Sequence, residues 1–233
     1  MAKHTIVGDV RLSDYLDQGD PIRFTNQEIR RMCRLANLGK NDVFYDLGSG
    51  WGQNLIIALT EFDARTAVGI EMDRGRCEVA VERLKNWSLA NRSKVVHGDF
   101  EDLLFRELEG ADLSEATVIF YGLATTPECG EAIARRARKG CRLLYYFNGL
   151  FPEILPDRAD FPFYVSVSPF KKPKTEHEWL KAVVQKEQSS VNPGQRPSVQ
   201  ELWDELSHDC EVYGDIDAVS DYRGRLKRTV GSQ

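Results

Sequence analysis

Long hydrophobic runs are missing from this sequence of 233 residues. No stretch approaches the ~20 apolar residues that a membrane-spanning helix needs, so no membrane span is predicted. Met1 to Thr5 lead into no apolar segment of the secretory type, and we expect a cytoplasmic protein. Hydrophobic residues make up 42% of the chain and charged residues 29%, which is typical of a soluble globular protein with a full core.

Cysteine, histidine and excess positive charge are also scarce. The five cysteines form no CxxC pair, and reduced thiols are expected rather than a disulfide framework. The four histidines lack metal-ligand spacing, so no metal site is predicted. The net charge is −5, whereas dedicated nucleic-acid binders are usually basic, so DNA or RNA is not expected as a direct partner.

The sequence is organised around a glycine-rich turn. A short apolar run, 43–47, reads as a buried strand, and a second apolar run with helical character begins at Leu55. Gly48, Gly50 and Gly52 lie between them. Strand, glycine turn and helix form the start of a βαβ unit, and open α/β sheets bind ligands at such turns.

The residues of this turn indicate which ligand it takes. Dinucleotide sites read GxGxxG, whereas this turn reads GxGxG and is preceded by the acid Asp46. A carboxylate repels a pyrophosphate, and the turn contains no lysine or arginine to offset it. An acid here favours S-adenosylmethionine, which carries an ammonium and a sulfonium group. A tight turn without any ligand is the alternative.

Two further strand ends support a nucleoside site. The strand 66–71 ends in Glu71, about 20 residues beyond the glycines, where an acid hydrogen-bonds ribose hydroxyls. The next strand ends in Gly98, Asp99 and Phe100, which suit an adenine amino group and ring face. In series, the three strand ends predict one nucleoside pocket.

These motifs carry a family resemblance. Asp-Leu-Gly-Ser-Gly-Trp-Gly-Gln at 46–53, Val-Gly-Ile-Glu at 68–71 and Gly-Asp-Phe at 98–100 resemble class I (seven-β-strand) S-adenosylmethionine-dependent methyltransferases. Within that class the chain resembles the archaeal and non-SET histone-type protein-lysine methyltransferases. Arg-Phe-Thr-Asn at 23–26 resembles the loop through which their substrate and cofactor enter. The resemblance spans roughly residues 21–184.

The resemblance implies a Rossmann-like α/β fold. We expect a seven-stranded sheet, mostly parallel, with helices on both faces and an antiparallel edge hairpin formed by strands at 161–170 and 178–184. The expected organisation is an N-terminal helical segment with the entrance loop (1–40), a methyltransferase domain (41–187), and a linker with a helical C-terminal extension (188–233). Trp87 is predicted to be a core residue of a helix.

The resemblance also implies site residues. Tyr121, at the end of the fourth strand, is the predicted catalytic residue. The archaeal enzymes carry tyrosine there, the histone-type enzymes carry asparagines, and a packing role is the alternative. The predicted cofactor-binding residues are Thr25, Asp46, Gly48, Ser49, Gly50, Gln53, Asn54, Glu71, Met72, Asp99 and Phe100.

The predicted function is N-methylation of exposed lysines on a protein substrate, such as a chromatin or other basic protein. An apolar channel lowers the pKa of the acceptor amine, and Phe24, Tyr121, Phe147 and Phe151 are its candidate walls. Three alternatives stay open: methylation of nucleic acid, methylation of a small molecule, and binding of the cofactor without catalysis. Tyr-Gly-Leu-Ala at 121–124 lacks the Asn/Asp-Pro-Pro-aromatic run of amino-methylating base enzymes.

Overall fold

The computed structural model describes residues 24, 26–122, 127–146, 154–160, 163–175, 178, 181–183, 185 and 186. The predicted linker and C-terminal extension lie outside these residues, as does most of the N-terminal segment. The helices are α1 (Asn26–Leu35), α2 (Gln53–Thr60), α3 (Arg74–Asn86), α4 (Phe100–Phe105) and α5 (Pro127–Arg136). The strands are β1 (Val43–Leu47), β2 (Thr66–Glu71), β3 (Ser93–His97), β4 (Val118–Tyr121), β5 (Arg142–Tyr146), β6 (Arg158–Asp160) and β7 (Phe163–Val167).

The seven strands form one sheet in the order β3-β2-β1-β4-β5-β7-β6. β1 to β5 run parallel, and β7 lies antiparallel to both β5 and β6. This arrangement confirms the predicted fold class. The chain order reverses on either side of β1, and ligands of open α/β sheets bind at the carboxyl ends of the strands at such a switch point.

Alternating side chains of the strands form one apolar layer on each face of the sheet. Tyr45 and Leu47 pack on one side, in a cluster that includes Ile133 of α5. Phe44 points to the other side, in a cluster that includes Met32 of α1. Both faces of a parallel sheet are buried in this way, which is why its strands read as continuous apolar runs.

The predicted edge strand at 178–184 is wrong. The described residues 178, 181–183 and 185–186 are helical, and the antiparallel partner of β7 is the short strand β6. The amide of Glu178 donates to Oγ1 of Thr175 (3.2 Å), and the Glu178 carboxylate accepts from the amide of Lys174 (2.6 Å). A threonine followed three residues later by glutamate is the sequence signal of a helix start that would have corrected the prediction.

The prediction of a core position for Trp87 is also wrong, because this side chain is 51% exposed. α3 buries Cys77, Ala80 and Leu84 instead, at helical spacing. Trp87 follows the last helical residue as the C-cap, so it does not continue the buried stripe.

Candidate active site

The glycine turn is built from left-handed backbone. Gly50 and Gly52 have φ values of 53° and 75°, and Gly52 caps the start of α2. A Cβ atom on Gly52 would lie 3.2 Å from the Cβ of Ala80 in α3. Any other residue there would strain the backbone and crowd the helix. The amides of Gly48 and Ser49 each donate to the carbonyl of Ile70 (2.9 Å), so the turn is fixed to the end of β2.

Asp46 is a fully buried carboxylate at the carboxyl end of β1. Its Oδ2 accepts a hydrogen bond from Nδ2 of Asn54 (3.0 Å), while its Oδ1 is buried and has no hydrogen-bond partner in the described part of the chain. Burial raises the pKa of Asp46 to about 7; the Asn54 contact lowers it, and the charge of Glu71 adds to the rise. A buried acid with an unused oxygen suits a cationic ligand group.

Glu71 supports the turn through both oxygens of its carboxylate. Its Oε2 accepts from the amide of Gly50 (2.8 Å), and its Oε1 accepts from the amide of Asp73 (2.9 Å). Sequence reasoning placed this residue only at the ribose. Because each carboxylate oxygen has a second lone pair, both can also accept from ribose hydroxyls.

The third strand end lies beside the second. The amide of Gly98 donates to the carbonyl of Glu71 (3.0 Å). Asp99 caps α4, its Oδ1 accepting from the amide of Glu101 (2.9 Å). Met72 follows Glu71 and is 69% exposed, so an apolar side chain is left open at the edge where the adenine is predicted.

Tyr121 packs in the core in this structure. It is 1% exposed, and its ring meets that of Phe100 edge to face, with centroids 5.5 Å apart. Burial raises the pKa of its hydroxyl, and a hydrogen bond with Cys129 raises it further. The arrangement matches the packing alternative, and the catalytic role stays a prediction.

Of the remaining predicted residues, some lie outside the described part of the chain, and Phe24 lies within it. Thr25, Phe147 and Phe151 lie outside the described residues. Phe24 contacts the rings of Phe120 and Phe163 edge to face, with centroids 5.6 Å apart in both cases.

Phe24 is nonetheless near the carboxyl end of β4. A Cβ atom on Gly122, the residue after that strand, would lie 3.4 Å from Cε2 of Phe24. Phe24 therefore contributes an apolar surface beside the edge where the acceptor is predicted to enter.

Sequence reasoning missed two arginines of α3 that hold the turn. Arg83 donates from Nη1 to the carbonyl of Trp51 (2.6 Å) and from Nη2 to Oε1 of Gln53. The guanidinium of Arg76 lies 5.4 Å from the ring centroid of Trp51 and 3.8 Å from the Glu71 carboxylate. These contacts depend on how α3 packs against the turn, so no sequence motif reports them.

Replacing Arg83 by methionine is expected to weaken cofactor binding about tenfold, because the turn loses two hydrogen bonds of roughly 1 kcal/mol each. Arg74→Met is the matched control on the same helix, since Arg74 is 80% exposed and pairs with the exposed side chain of Glu78. Calorimetric titration with S-adenosylhomocysteine measures the affinity of both variants. Equal affinities in the two variants would remove Arg83 from the support of the site.

Known proteins are similar to this chain in sequence and in fold. The sequence profile of the histone methylation protein DOT1 family matches residues 24–103. A protein-lysine N-methyltransferase of Saccharolobus islandicus (strain REY15A) is 33% identical over 97 residues, which are 42% of this chain and 55% of that protein. The chain thus matches about half the length of this curated relative.

A solved structure extends the similarity. The crystal structure of an RNA methyltransferase from Salinibacter ruber, in complex with S-adenosyl-L-homocysteine, has a TM-score of 0.54 and 27% identity. The match covers 66% of this chain and 98% of that one.

The strand order and the glycine turn are those of class I S-adenosylmethionine-dependent methyltransferases, and the chain is similar to such enzymes in sequence and fold. Within that class it is similar to the DOT1 histone methylation family through the part that carries the turn, β2 and β3.

The site fits the cofactor of this class, S-adenosylmethionine. Oδ1 of Asp46 and Oγ of Ser49 are both buried and lack hydrogen-bond partners within the described ranges. A buried polar atom without a partner costs about 1–3 kcal/mol, which a ligand that donates to it recovers. The ammonium group of S-adenosylmethionine is such a donor. Among the described residues, no cluster of histidine, cysteine and acidic side chains could hold a metal ion.

Two further findings bear on the sequence predictions. No helix within the described ranges has the length and apolar character that crossing a membrane requires. Cys33, Cys77, Cys129 and Cys141 are buried and carry free thiols.

Proposed function

We propose that this protein transfers a methyl group to the side-chain amine of lysines on protein substrates. The observation that carries the proposal is the pair of carboxylates, Asp46 and Glu71, at the carboxyl ends of β1 and β2; Oδ1 of Asp46 is buried and has no hydrogen-bond partner among the described residues. The similarity to a protein-lysine N-methyltransferase supports lysine as the acceptor.

Each part of the cofactor has residues suited to it. Asp46 holds the ammonium of the methionine part, with Gly48, Ser49, Gly50, Gln53 and Asn54 around the same turn. Glu71 holds the ribose hydroxyls. Met72, Asp99 and Phe100 hold the adenine, the first and last through apolar contact. S-adenosylmethionine, when bound, supplies the methyl group.

The acceptor amine must lose its proton before it can attack. The ordinary pKa of lysine is near 10.4, so deprotonation at pH 7 costs about 4–5 kcal/mol. Apolar surroundings favour the neutral amine, and Phe24 beside Gly122 offers such surroundings at the end of β4. The chain therefore needs no dedicated general base; its residues exclude water and orient the amine.

The net charge of −5 suits a basic protein substrate, since opposite charges increase the rate of encounter. The partner in this proposal is a protein that presents an exposed lysine.

RNA methylation is the second candidate, and one observation favours it. The solved RNA methyltransferase that the chain resembles is covered over 98% of its length, whereas the lysine methyltransferase is covered over 55%. A direct assay therefore decides between the two acceptors.

Transfer of labelled methyl groups from S-adenosylmethionine separates the candidates. We expect label on lysine residues of a basic protein mixture, located by mass spectrometry, and none on total RNA offered at the same concentration. Label on RNA alone would establish the second candidate. Binding of the cofactor without label on any acceptor would indicate a non-catalytic binding protein.

Asp46→Asn is the control for background in this assay. The variant keeps the size of the side chain and loses its charge. With S-adenosylmethionine well below the dissociation constant of the variant, label that persists undiminished would not depend on the site at Asp46.

A further inference from the structure

A concave surface lies at the amino-terminal ends of the strands, opposite the carboxyl ends where the cofactor is proposed to bind. It is a cleft of about 560 Å³ lined at the amino-terminal starts of β1, β2 and β3. Strands rise about 3.3 Å per residue, so this cleft lies roughly 15 Å from the carboxyl edge. The basic cleft, as we call it, is lined by Val43, Arg65, Thr66, Ala67, Val68, Asn91, Arg92, Ser93, Lys94, Glu115 and Arg138.

The charge of the basic cleft is opposite to that of the whole chain. Arg65, Arg92, Lys94 and Arg138 face one lining acid, Glu115, although the chain carries a net charge of −5. Arg92 also pairs with the exposed carboxylate of Asp63 (2.8 Å), so that both acids together leave an excess of two positive charges. A concave surface with an excess of one sign of charge concentrates ions of the opposite sign.

Local structure positions two of these cations, Arg92 and Lys94. Nη2 of Arg92 donates to Asp63 and to the carbonyl of Ala64, which fixes the guanidinium at the cleft. Nζ of Lys94 lies over Gly110, where a Cβ atom would be only 2.9 Å away. Gly110 therefore provides the space that the Lys94 ammonium occupies.

The chemistry of the lining selects the kind of anion. A site for one free phosphate gathers backbone amides, but the amides of Arg65 and Thr66 donate to the carbonyl of Asp42, and that of Ala67 donates to the carbonyl of Arg92. Protein interfaces are commonly anchored by large aromatic side chains, whereas the apolar residues that line this cleft are the buried Val43 and Ala67 and the half-buried Val68. What the cleft offers is cationic side chains spread over its length.

We propose that the basic cleft binds the phosphodiester backbone of a nucleic acid. Contacts of this kind position a protein on nucleic acid without reading its sequence. No aromatic side chain lines the described part of the cleft, so base stacking has no platform there. The site is independent of methyl transfer, and a bound strand leaves the carboxyl edge open to the methyl acceptor.

Fluorescence anisotropy with a 20-base-pair DNA duplex tests the proposal on the full chain, without methyl donor. We expect a log K against log salt slope of about −3, since each phosphate contact contributes about −0.9. The variant Arg65→Gln/Lys94→Gln/Arg138→Gln is expected to bind at least tenfold more weakly. Arg92 is left intact because it supports the fold.

The matched control is Arg106→Gln/Arg135→Gln/Lys171→Gln, which makes the same change in net charge at side chains that are 80%, 64% and 74% exposed. This variant is expected to bind the duplex within about twofold of the wild type. Equal losses in both triple variants, or no salt-dependent binding in the wild type, would overturn the proposal.

Two competitors separate the alternative ligands. Inorganic phosphate and polyglutamate are added at charge concentrations equal to that of the duplex. Neither is expected to displace the duplex. Displacement by polyglutamate as effective as that by unlabelled duplex would overturn the nucleic-acid assignment in favour of an acidic protein segment, and displacement by phosphate would reduce the cleft to a simple anion site. Since no methyl donor is present, none of these results bears on methyl transfer.

Discussion

Asp46→Asn is expected to weaken binding of S-adenosylmethionine by on the order of 100-fold, the effect of removing one partner from a buried ion pair. The side chain keeps its size and its position at the end of β1, but it no longer offers a carboxylate to the ligand's ammonium group. Calorimetric titration of wild type and variant at pH 7.5 measures the loss.

The same substitution is expected to leave the unliganded protein at least as stable as the wild type. The pKa of Asp46 is raised to about 7 in the folded protein, from an ordinary value of 3.8. Between these two values the folded state binds more protons than the unfolded state, so the free energy of unfolding falls as pH rises, by about 4 kcal/mol in total. Asparagine does not ionise, so its burial does not lower the free energy of unfolding at pH 7.5.

The raised pKa also predicts how affinity depends on pH. Below pH 7 the unliganded Asp46 is mostly protonated, and binding of an ammonium group requires the ionised form. The dissociation constant of the wild type is therefore expected to rise up to about tenfold per pH unit as pH falls from 7 to 5.5. Asp46→Asn keeps every other titratable group, including His97, and is expected to give a nearly flat profile. Parallel profiles in the two proteins would contradict this account of Asp46.

Glu71→Ala is expected to lower both cofactor affinity and stability. The amides of Gly50 and Asp73 lose their acceptor. Gly50 is half-buried and Asp73 is exposed, so the two lost hydrogen bonds are expected to cost about 1–2 kcal/mol in total. The ribose loses its partner as well, so affinity is expected to fall at least tenfold. Thermal unfolding and calorimetry on the same samples measure the two effects.

Glu78→Ala is the control for Glu71. Glu78 is an exposed residue of α3, and its side chain pairs with that of Arg74 on the surface. Its loss is expected to change stability by less than about 0.5 kcal/mol. An unchanged melting temperature in Glu71→Ala would exclude the supporting role, and an unchanged affinity would exclude the ribose role.

The central part of the fold could be predicted because its signals are local. The apolar strands β1 and β2 and the glycines between them appear in the sequence as runs and spacings. The carboxyl ends of parallel strands meet at one edge, so the proximity of Asp46 and Glu71 also follows from the sequence.

The edge of the sheet could not be predicted in the same way. β6 has only three residues, Arg158 to Asp160, and alternation over three residues carries little information. The later apolar run that was predicted to be a strand is helical where the structure describes it. A capping signal at Thr175 outweighs the strand pattern there.

The properties of the site that depend on packing could not be predicted from the sequence. The pKa of Asp46 is set mainly by burial, which a sequence does not report. The two contacts of Arg83 with the turn join residues that are 32 and 30 positions apart in the sequence. The basic cleft gathers cations from position 65 to position 138, which no run of charge in the sequence reveals.

A crystal structure of the full chain with S-adenosylhomocysteine tests the central claim most directly. We expect the amino nitrogen of the ligand within hydrogen-bond distance of Oδ1 of Asp46, and the ribose hydroxyls on the carboxylate of Glu71. A ligand bound elsewhere on the protein, or bound with its amino group away from Asp46, would contradict the account.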